Sequence, residues 1–198
     1  NICLKNYRFL ICMMNLKNNI ENVIFDLDGT LVNSSPGILL CLNTVIKDKD
    51  IKPKVELNNK LIGPPLLDMM KIVSGIENIY KLEDLANDFK FCYDSKGYKK
   101  TILFDGITKM LAELISKNVK LFIATNKRDK PTKKIIKHLS LDEFFTSLYT
   151  VDMDKELFQS KSIMIATIIK NHKLDISKTM YVGDTNADAL AAFENKIR

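Results

Sequence analysis

The 198-residue sequence contains no tryptophan, two histidines, seven glycines and five prolines. No apolar stretch reaches the roughly 18 residues that a membrane-spanning helix needs, so we expect no membrane partner. Basic residues form no long run, and the net charge of +6 is dispersed, which argues against a nucleic-acid partner. Neither GxxxxGK[ST] nor GxGxxG occurs, so the usual nucleotide-binding loops are excluded. An attraction to small anions remains compatible with the charge.

Cysteine is also scarce. The four cysteines, Cys3, Cys12, Cys41 and Cys92, form no CxxC pair. We interpret them as reduced thiols, which indicates a cytoplasmic protein. Hydrophobic residues make up 46% of the chain and charged residues 27%, as in ordinary globular proteins. A chain of this length can bury a core without disulfides or structural metals.

Both ends of the chain depart from the pattern of the rest. Residues 1–20 contain a short apolar run but no long apolar region or small-residue cleavage site of a signal peptide. We expect this segment to be a disordered or artefactual N-terminal extension, with the natural start near Met13 or Met14. A helical pattern at 187–195 stops close to Arg198, which predicts a truncated C-terminus.

Two kinds of segment alternate through most of the chain. Continuous apolar runs predict four buried strands, at 23–27, 121–124, 147–151 and 180–182. Helical patterns lie among the later strands, at 107–117, 131–138 and 163–172. Such alternation is typical of βαβ units and predicts an α/β fold with a Rossmann-like parallel sheet core.

A long segment without a strand pattern interrupts this alternation. Helical stretches occur within it at 38–47, 66–73 and 82–93. A connection of about 70 residues is too long for a loop in a compact domain. We therefore expect residues 34–100 to form an inserted α-helical cap domain, and residues 21–33 and 101–198 to form the α/β core domain.

Polar side chains follow three of the predicted strands at their C-terminal ends, where open parallel sheets bind ligands. Asp26 and Asp28 follow the first strand, Thr125-Asn126 follows the second, and Asp184 follows the last. Gly29 permits a sharp turn and a close approach of the backbone to a ligand.

Two further charged residues belong near this edge. Lys161 precedes the helix that leads into the last strand, and Asp188 lies near the start of the final helix. Several carboxylates at one edge repel one another unless a cation lies among them, and hard oxygen ligands suit Mg²⁺. A metal ion, a lysine and backbone N–H groups together favour phosphate. A carboxylate can itself attack phosphorus and form an aspartyl-phosphate.

Four segments in this order resemble the four motifs of the haloacid dehalogenase superfamily. They are VIFDLDGTLVNSSPGI (Val23–Ile38), LFIATNK (Leu121–Lys127), Lys161 and YVGDTNAD (Tyr181–Asp188). The helical insert, the Ile62–Leu66 stretch and the spacing from Lys161 to Asp184 are most similar to the phosphoglycolate phosphatase branch, including its 5'-nucleotidase-like relatives.

The resemblance implies a role for each candidate residue. Asp26 would be the nucleophile and Asp28 the acid/base, and both would hold Mg²⁺ with Asp184, Asp28 through its backbone carbonyl. Thr125 and Lys161 would complete the catalytic set, Thr125 by holding phosphate oxygens and Lys161 by neutralising Asp26 and the phosphate. Gly29, Thr30 and Asn126 would bind phosphate with Lys161, and Asp188 would orient Lys161 or the metal waters. Together they predict an Mg²⁺-dependent phosphomonoesterase, monomeric or homodimeric, that acts on a small phosphorylated metabolite through an aspartyl-phosphate.

The substrate stays open at this point. A 5'-nucleotidase-like enzyme, a phosphomutase of the same superfamily and a non-catalytic phosphate-binding protein are the alternatives. Asn33-Ser34 replaces the Asp-Ser pair common in the family, which affects substrate fit more than chemistry. Lys60 and Lys71 are candidates to bind a second anion such as the carboxylate of 2-phosphoglycolate. Aromatic insert residues could instead line a nucleoside site: Tyr80, Phe89, Phe91 and Tyr93.

Overall fold

The computed structural model describes residues 20–154, 156 and 158–198. These residues divide into two compact units. Unit 1 contains residues 20–33 and 102–198, and unit 2 contains Ser34–Thr101. The predicted N-terminal extension, apart from Ile20, lies outside the described residues. No helix in these ranges is long and apolar enough to cross a membrane.

Unit 1 is built on a parallel sheet. The strands of the described chain are β1 (Asn22–Phe25), β2 (Val32–Asn33), β3 (Ile102–Leu103), β4 (Lys120–Thr125), β5 (Ser147–Thr150) and β6 (Thr179–Val182). The sheet order is β5-β4-β1-β6, and every neighbouring pair is parallel. The short strands β2 and β3 pair antiparallel where the chain leaves unit 1 and returns to it. The predicted α/β fold with a parallel sheet is confirmed.

Seven α-helices accompany the strands in the described ranges. They are α1 (Ser35–Asp48), α2 (Leu66–Ser74) and α3 (Ile79–Ser95) in unit 2, and α4 (Ile107–Ser116), α5 (Asp129–His138), α6 (Lys161–His172) and α7 (Asn186–Glu194) in unit 1. Some begin two or three residues before the apolar pattern does, and α3 and α6 have polar side-chain caps at these starts. The Ser160 hydroxyl, for example, accepts a hydrogen bond from the backbone N–H of Ile163 at 3.3 Å and starts α6.

The sheet of unit 1 is buried on both faces. Alternate residues along a strand point to opposite sides. Ile24, Phe122 and Tyr181 pack with α6 and α7 in one cluster, while Phe25 and Ile123, one position further along, are fully buried as well. The strands are therefore continuously apolar, and their polar residues are confined to their ends.

Unit 2 consists of helices, and α1 packs tightly against the turn after α3. A Cβ atom on Gly37 of α1 would overlap the backbone carbonyl oxygen of Gly97, and a Cβ atom on Gly97 would lie 2.6 Å from the Cys41 Sγ. Only glycine fits at either position. The backbones of the two segments therefore lie in direct contact. That unit 2 acts as a cap stays a prediction.

Replacing Gly37 by Ala is expected to destabilise the protein, although the same change stabilises an ordinary helix interior by about 0.5–1 kcal/mol. The added methyl group would force α1 away from Gly97, and such overpacking typically costs about 1–3 kcal/mol. Urea denaturation of the parent and of Gly37→Ala measures the difference. A stabilising effect would show that α1 does not pack on Gly97 as described.

Candidate active site

The central strand β1 ends at the proposed site. Phe25 pairs with Ile123 of β4 and with Val182 of β6, and the backbone N–H of Asp26 donates to the Val182 carbonyl at 2.8 Å. Asp26 thus leaves the sheet from its middle, with a strand on each side. Its residue exposure is 6%, so the carboxylate is held in a largely dehydrated position.

A tight turn follows β1. The carbonyl of Leu27 accepts hydrogen bonds from the N–H groups of Leu31 at 2.9 Å and Val32 at 3.1 Å, and the Gly29 N–H donates to the Val32 carbonyl at 2.9 Å. Gly29 has a φ of +85°, which L side chains rarely adopt. A Cβ atom there would also overlap the Asp184 carboxylate. The turn therefore brings Asp184, from the far end of the chain, against the backbone next to Asp28.

Lys161 connects two carboxylates below this turn. Its Nζ lies 2.9 Å from Asp26 Oδ1 and 2.5 Å from Asp188 Oδ1, and the three side chains are 10%, 8% and 2% exposed. Tyr181 donates its hydroxyl towards Asp188 Oδ1 at 3.1 Å, or towards the Ala124 carbonyl at 3.3 Å. The lysine is therefore fixed beside Asp26, as a counter-ion for that carboxylate.

Asp188 serves two structural purposes. Its Oδ2 accepts hydrogen bonds from the Thr185 N–H at 3.0 Å and the Thr185 hydroxyl at 2.6 Å, which completes a capping box at the start of α7. Its Oδ1 binds Lys161. Although burial alone raises its pKa, hydrogen bonds from Lys161 and Thr185 outweigh this and hold the pKa of Asp188 below its ordinary value.

Burial governs the charge state of Asp26. It raises the pKa of the Asp26 carboxyl to about 6, even though the Lys161 ammonium acts in the opposite direction. For Lys161, burial lowers the pKa, but the charges of Asp26 and Asp188 outweigh burial and raise it. Burial and the nearby carboxylates also raise the pKa of Tyr181, which therefore stays a hydrogen-bond donor. An added cation would act in the same direction as Lys161 and lower the pKa of Asp26.

Three carboxylates offer oxygen atoms within 4.8 Å of one another: Asp26, Asp184 and Asp188. Both oxygens of Asp188 are already engaged by Lys161, Tyr181 and Thr185. Asp184 is exposed, and its recorded partner is the Thr30 hydroxyl, 3.3 Å from Oδ1. Asp26 and Asp184 therefore remain as the carboxylates suited to a hard divalent cation.

Lys127 also lies at the site, although the sequence did not predict a role for it. Its Nζ lies 3.0 Å from Asp28 Oδ2 and 3.3 Å from Oδ1. The Lys127 side chain is 10% exposed, against 33% for Asp28. Its position inside the LFIATNK segment was the one available sign, since 99 residues separate it from its partner.

The remaining predicted residues occupy the same edge of the sheet. Thr125 ends β4 and is buried, its hydroxyl accepts a hydrogen bond from the Lys127 N–H at 3.2 Å, and Asn126 is exposed. Gly29 and Thr30 contact Asp184. A phosphate contact for each of these four residues stays a prediction.

The two insert lysines belong to unit 2 and are described within it. Lys71 forms an ion pair with Glu77 at 2.5 Å, in which the two side chains are 50% and 75% exposed. Lys60 follows Asn58, whose side chain accepts a hydrogen bond from the Lys60 backbone N–H at 3.0 Å. A substrate contact for either lysine stays a prediction.

A sequence model of the haloacid dehalogenase-like hydrolases matches residues 23–198. The chain belongs to this family. The family prediction made from the four motifs, and with it the prediction of an enzyme, is confirmed. The matched range begins in β1 and therefore includes every candidate site residue.

Several known proteins are similar in sequence to this chain. A 5'-nucleotidase of Pseudomonas aeruginosa is 27% identical over 177 residues, covering 89% of this chain and 79% of the relative. A phosphoglycolate phosphatase of Vibrio parahaemolyticus is 24% identical, covering 89% of this chain and 80% of the relative. The tyrosine-protein kinase PtkA of Mycobacterium tuberculosis is 26% identical, and the match spans 56% of that protein's length.

Solved structures agree with the fold. A haloacid dehalogenase-like family hydrolase from Streptococcus pneumoniae superposes with a TM-score of 0.76 and is 27% identical, covering 90% of this chain and 82% of that chain. The likeness extends over both units, because neither unit alone accounts for 90% of the residues.

Replacing Asp26 by Asn is expected to change how stability depends on pH. The folded-state pKa of Asp26 is about 6, against an ordinary value of 3.8, so folding favours its protonated form. The stability contributed by this group is present below about pH 4 and is lost as the pH rises through about 6. In chelator, we expect the parent to lose about 2–3 kcal/mol relative to Asp26→Asn between pH 4 and 7.

Urea denaturation at several pH values measures this difference. Asp175→Asn is a suitable control, because Asp175 is exposed and its hydrogen bonds to Ser177 lower its pKa. The control should not reproduce the trend, since a lowered pKa acts with the opposite sign. A pH-independent difference between Asp26→Asn and the parent would contradict the raised pKa.

Proposed function

We propose that the chain is an Mg²⁺-dependent phosphomonoesterase that forms an aspartyl-phosphate on Asp26. The main support is the pairing of a buried Asp26 with the largely shielded ammonium of Lys161, 2.9 Å away, at the C-terminal edge of the sheet. This arrangement keeps an attacking carboxylate poorly hydrated yet balanced by a positive charge. An ordinary surface salt bridge would not be shielded from water in this way.

Asp26, Asp184 and the backbone carbonyl of Asp28 would hold Mg²⁺. When bound, the ion supplies positive charge that reduces repulsion between the attacking carboxylate and the phosphate oxygens. Thr30 and the backbone of Gly29 keep the Asp184 carboxylate at this edge. Asp188 stays engaged by the protein and supports Lys161.

The first half of the reaction transfers the phosphoryl group of the substrate to Asp26. A carboxylate oxygen of Asp26 attacks the phosphorus atom, and the bond from phosphorus to the leaving oxygen breaks. Protonated Asp28 gives its proton to that oxygen, so the alcohol leaves neutral. The Lys161 ammonium balances charge on the phosphate while Thr125 and Asn126 hold its oxygens.

The second half restores the protein. Asp28, now a carboxylate, takes a proton from a water molecule whose oxygen attacks the phosphorus of the aspartyl-phosphate. The bond between phosphorus and the Asp26 oxygen breaks, which releases inorganic phosphate and returns Asp26 as a carboxylate. Asp28 is again protonated for the next cycle.

The substrate we propose is a small phosphate monoester such as 2-phosphoglycolate. The phosphoglycolate phosphatase relative and the structure of the core support this chemistry. A nucleoside 5'-monophosphate is the second candidate, because the P. aeruginosa relative is a 5'-nucleotidase. The cytoplasmic location, and the monomeric or homodimeric state, stay predictions.

Asp26→Asn is expected to lower the turnover of every phosphomonoester by at least about a thousandfold, because the amide cannot attack phosphorus. Initial rates on 2-phosphoglycolate, AMP and 4-nitrophenyl phosphate measure the loss. Asp175→Asn, an exposed acid outside the site, should keep the parent rate. Activity of Asp26→Asn within tenfold of the parent would exclude Asp26 as the nucleophile.

Turnover is expected to need Mg²⁺ and to stop in excess chelator. Ca²⁺ should bind and compete but support little turnover, because its larger and looser coordination misplaces the attacking oxygen. Thermal unfolding provides a second readout: Mg²⁺ should raise the midpoint of the parent, and Asp184→Asn should remove most of that rise. Full activity in chelator would exclude a required metal.

A further inference from the structure

Two lysines of unit 1, Lys127 and Lys161, are largely shielded from solvent and paired with carboxylates, but the proposed reaction uses only Lys161. Other lysines that form ion pairs have side chains that are 39–65% exposed: Lys49, Lys71, Lys117, Lys133 and Lys178. Lys127 and Lys161 are each 10% exposed. Shielding an ammonium group from water is unfavourable unless it is well paired. The low exposure of Lys127 therefore indicates that its contact with Asp28 has a function.

The position of Lys127 is fixed by the end of β4. Its backbone N–H donates to the Thr125 hydroxyl at 3.2 Å, so the chain turns immediately after the strand. The side chain then contacts Asp28, which lies in the turn after β1. The Lys127 Nζ is 3.0 Å from Asp28 Oδ2 and 3.3 Å from Oδ1. Contact with both oxygens restrains rotation of the carboxylate as well as its position.

We infer that Lys127 is a positioning residue that holds the Asp28 carboxylate in the orientation from which it exchanges a proton with the leaving oxygen. The inference rests on the proposed function, in which Asp28 is the acid/base. The Asp28 side chain is one-third exposed, so without Lys127 other staggered rotamers become accessible to it. Misplacing a reacting group by about 1 Å can lower the rate about a hundredfold.

The test compares Lys127→Met with the parent on two kinds of phosphate ester. Ethyl phosphate has a leaving oxygen that needs a proton, whereas the nitrophenolate of 4-nitrophenyl phosphate leaves without one. We expect kcat/KM, which reports the first half of the reaction, to fall about 30–100-fold on ethyl phosphate and much less on 4-nitrophenyl phosphate. Lys127→Arg, which keeps the charge and donors, should recover part of the loss.

A double-mutant cycle isolates the route of the effect. If Lys127 acts through Asp28, Lys127→Met should cause no further loss of kcat in an Asp28→Asn background. Lys178→Met is the matched control, since it removes an exposed lysine paired with Glu21 at the opposite end of the sheet. It should leave both rates unchanged. If Lys127→Met does not fold, as judged by urea denaturation, Lys127→Gln takes its place.

Three results would overturn the inference. One is an equal loss of kcat/KM on the two esters, and another is an undiminished loss in the Asp28→Asn background. The third is a rise in KM confined to 2-phosphoglycolate, which would make Lys127 a binding residue for the substrate carboxylate. In each case the parent still turns over phosphate esters, so the proposed function stands. A parent without turnover on any ester would instead refute the proposed function itself.

Discussion

The burial of one carboxylate at the end of the central strand is the constraint on which the site depends. Asp26 leaves the sheet between two strands, where water cannot hydrate it freely, and burial raises its pKa to about 6. A positive partner is therefore needed, and Lys161 supplies it from the first residue of α6. The lysine in turn needs Asp188 to remain charged and in place. The burial of Asp26 thus accounts for the position of Lys161, and the charge of Lys161 accounts for the position of Asp188.

The same side chains join the site to the fold. Asp188 orients Lys161 with one oxygen and caps α7 with the other, so the helix start and the charge balance of the site depend on one residue. Thr125 likewise ends β4, and its hydroxyl accepts a hydrogen bond from the backbone N–H of Lys127. This hydrogen bond fixes the backbone from which the Lys127 side chain extends. Substitutions at such positions are therefore expected to alter stability and activity together, and kinetic tests on them need an unfolding measurement beside them.

Much of this was predictable from the sequence, for identifiable reasons. The strands that cross the core are continuous apolar runs because both faces of the sheet are covered, and the carboxylates follow them directly. Strands β2 and β3 were missed because two residues carry no periodic pattern. The Lys127 contact was missed because no local pattern links residues 28 and 127. For Asp188, an acid three residues after a threonine fits a helix cap as well as a site residue; in the structure it caps α7 and contacts Lys161.

The pairing of β2 with β3 has a consequence for how this architecture can diversify. The chain leaves unit 1 after β2 (Val32–Asn33) and re-enters it at β3 (Ile102–Leu103), and these two strands are paired. Unit 2 is therefore an insertion whose two ends lie side by side. We therefore expect that lengthening, shortening or exchanging that insert would leave the register of the parallel sheet unchanged. Natural selection can therefore vary the inserted module while the residues that perform the chemistry stay under separate constraint, and a domain exchange in the laboratory would use the same two junctions.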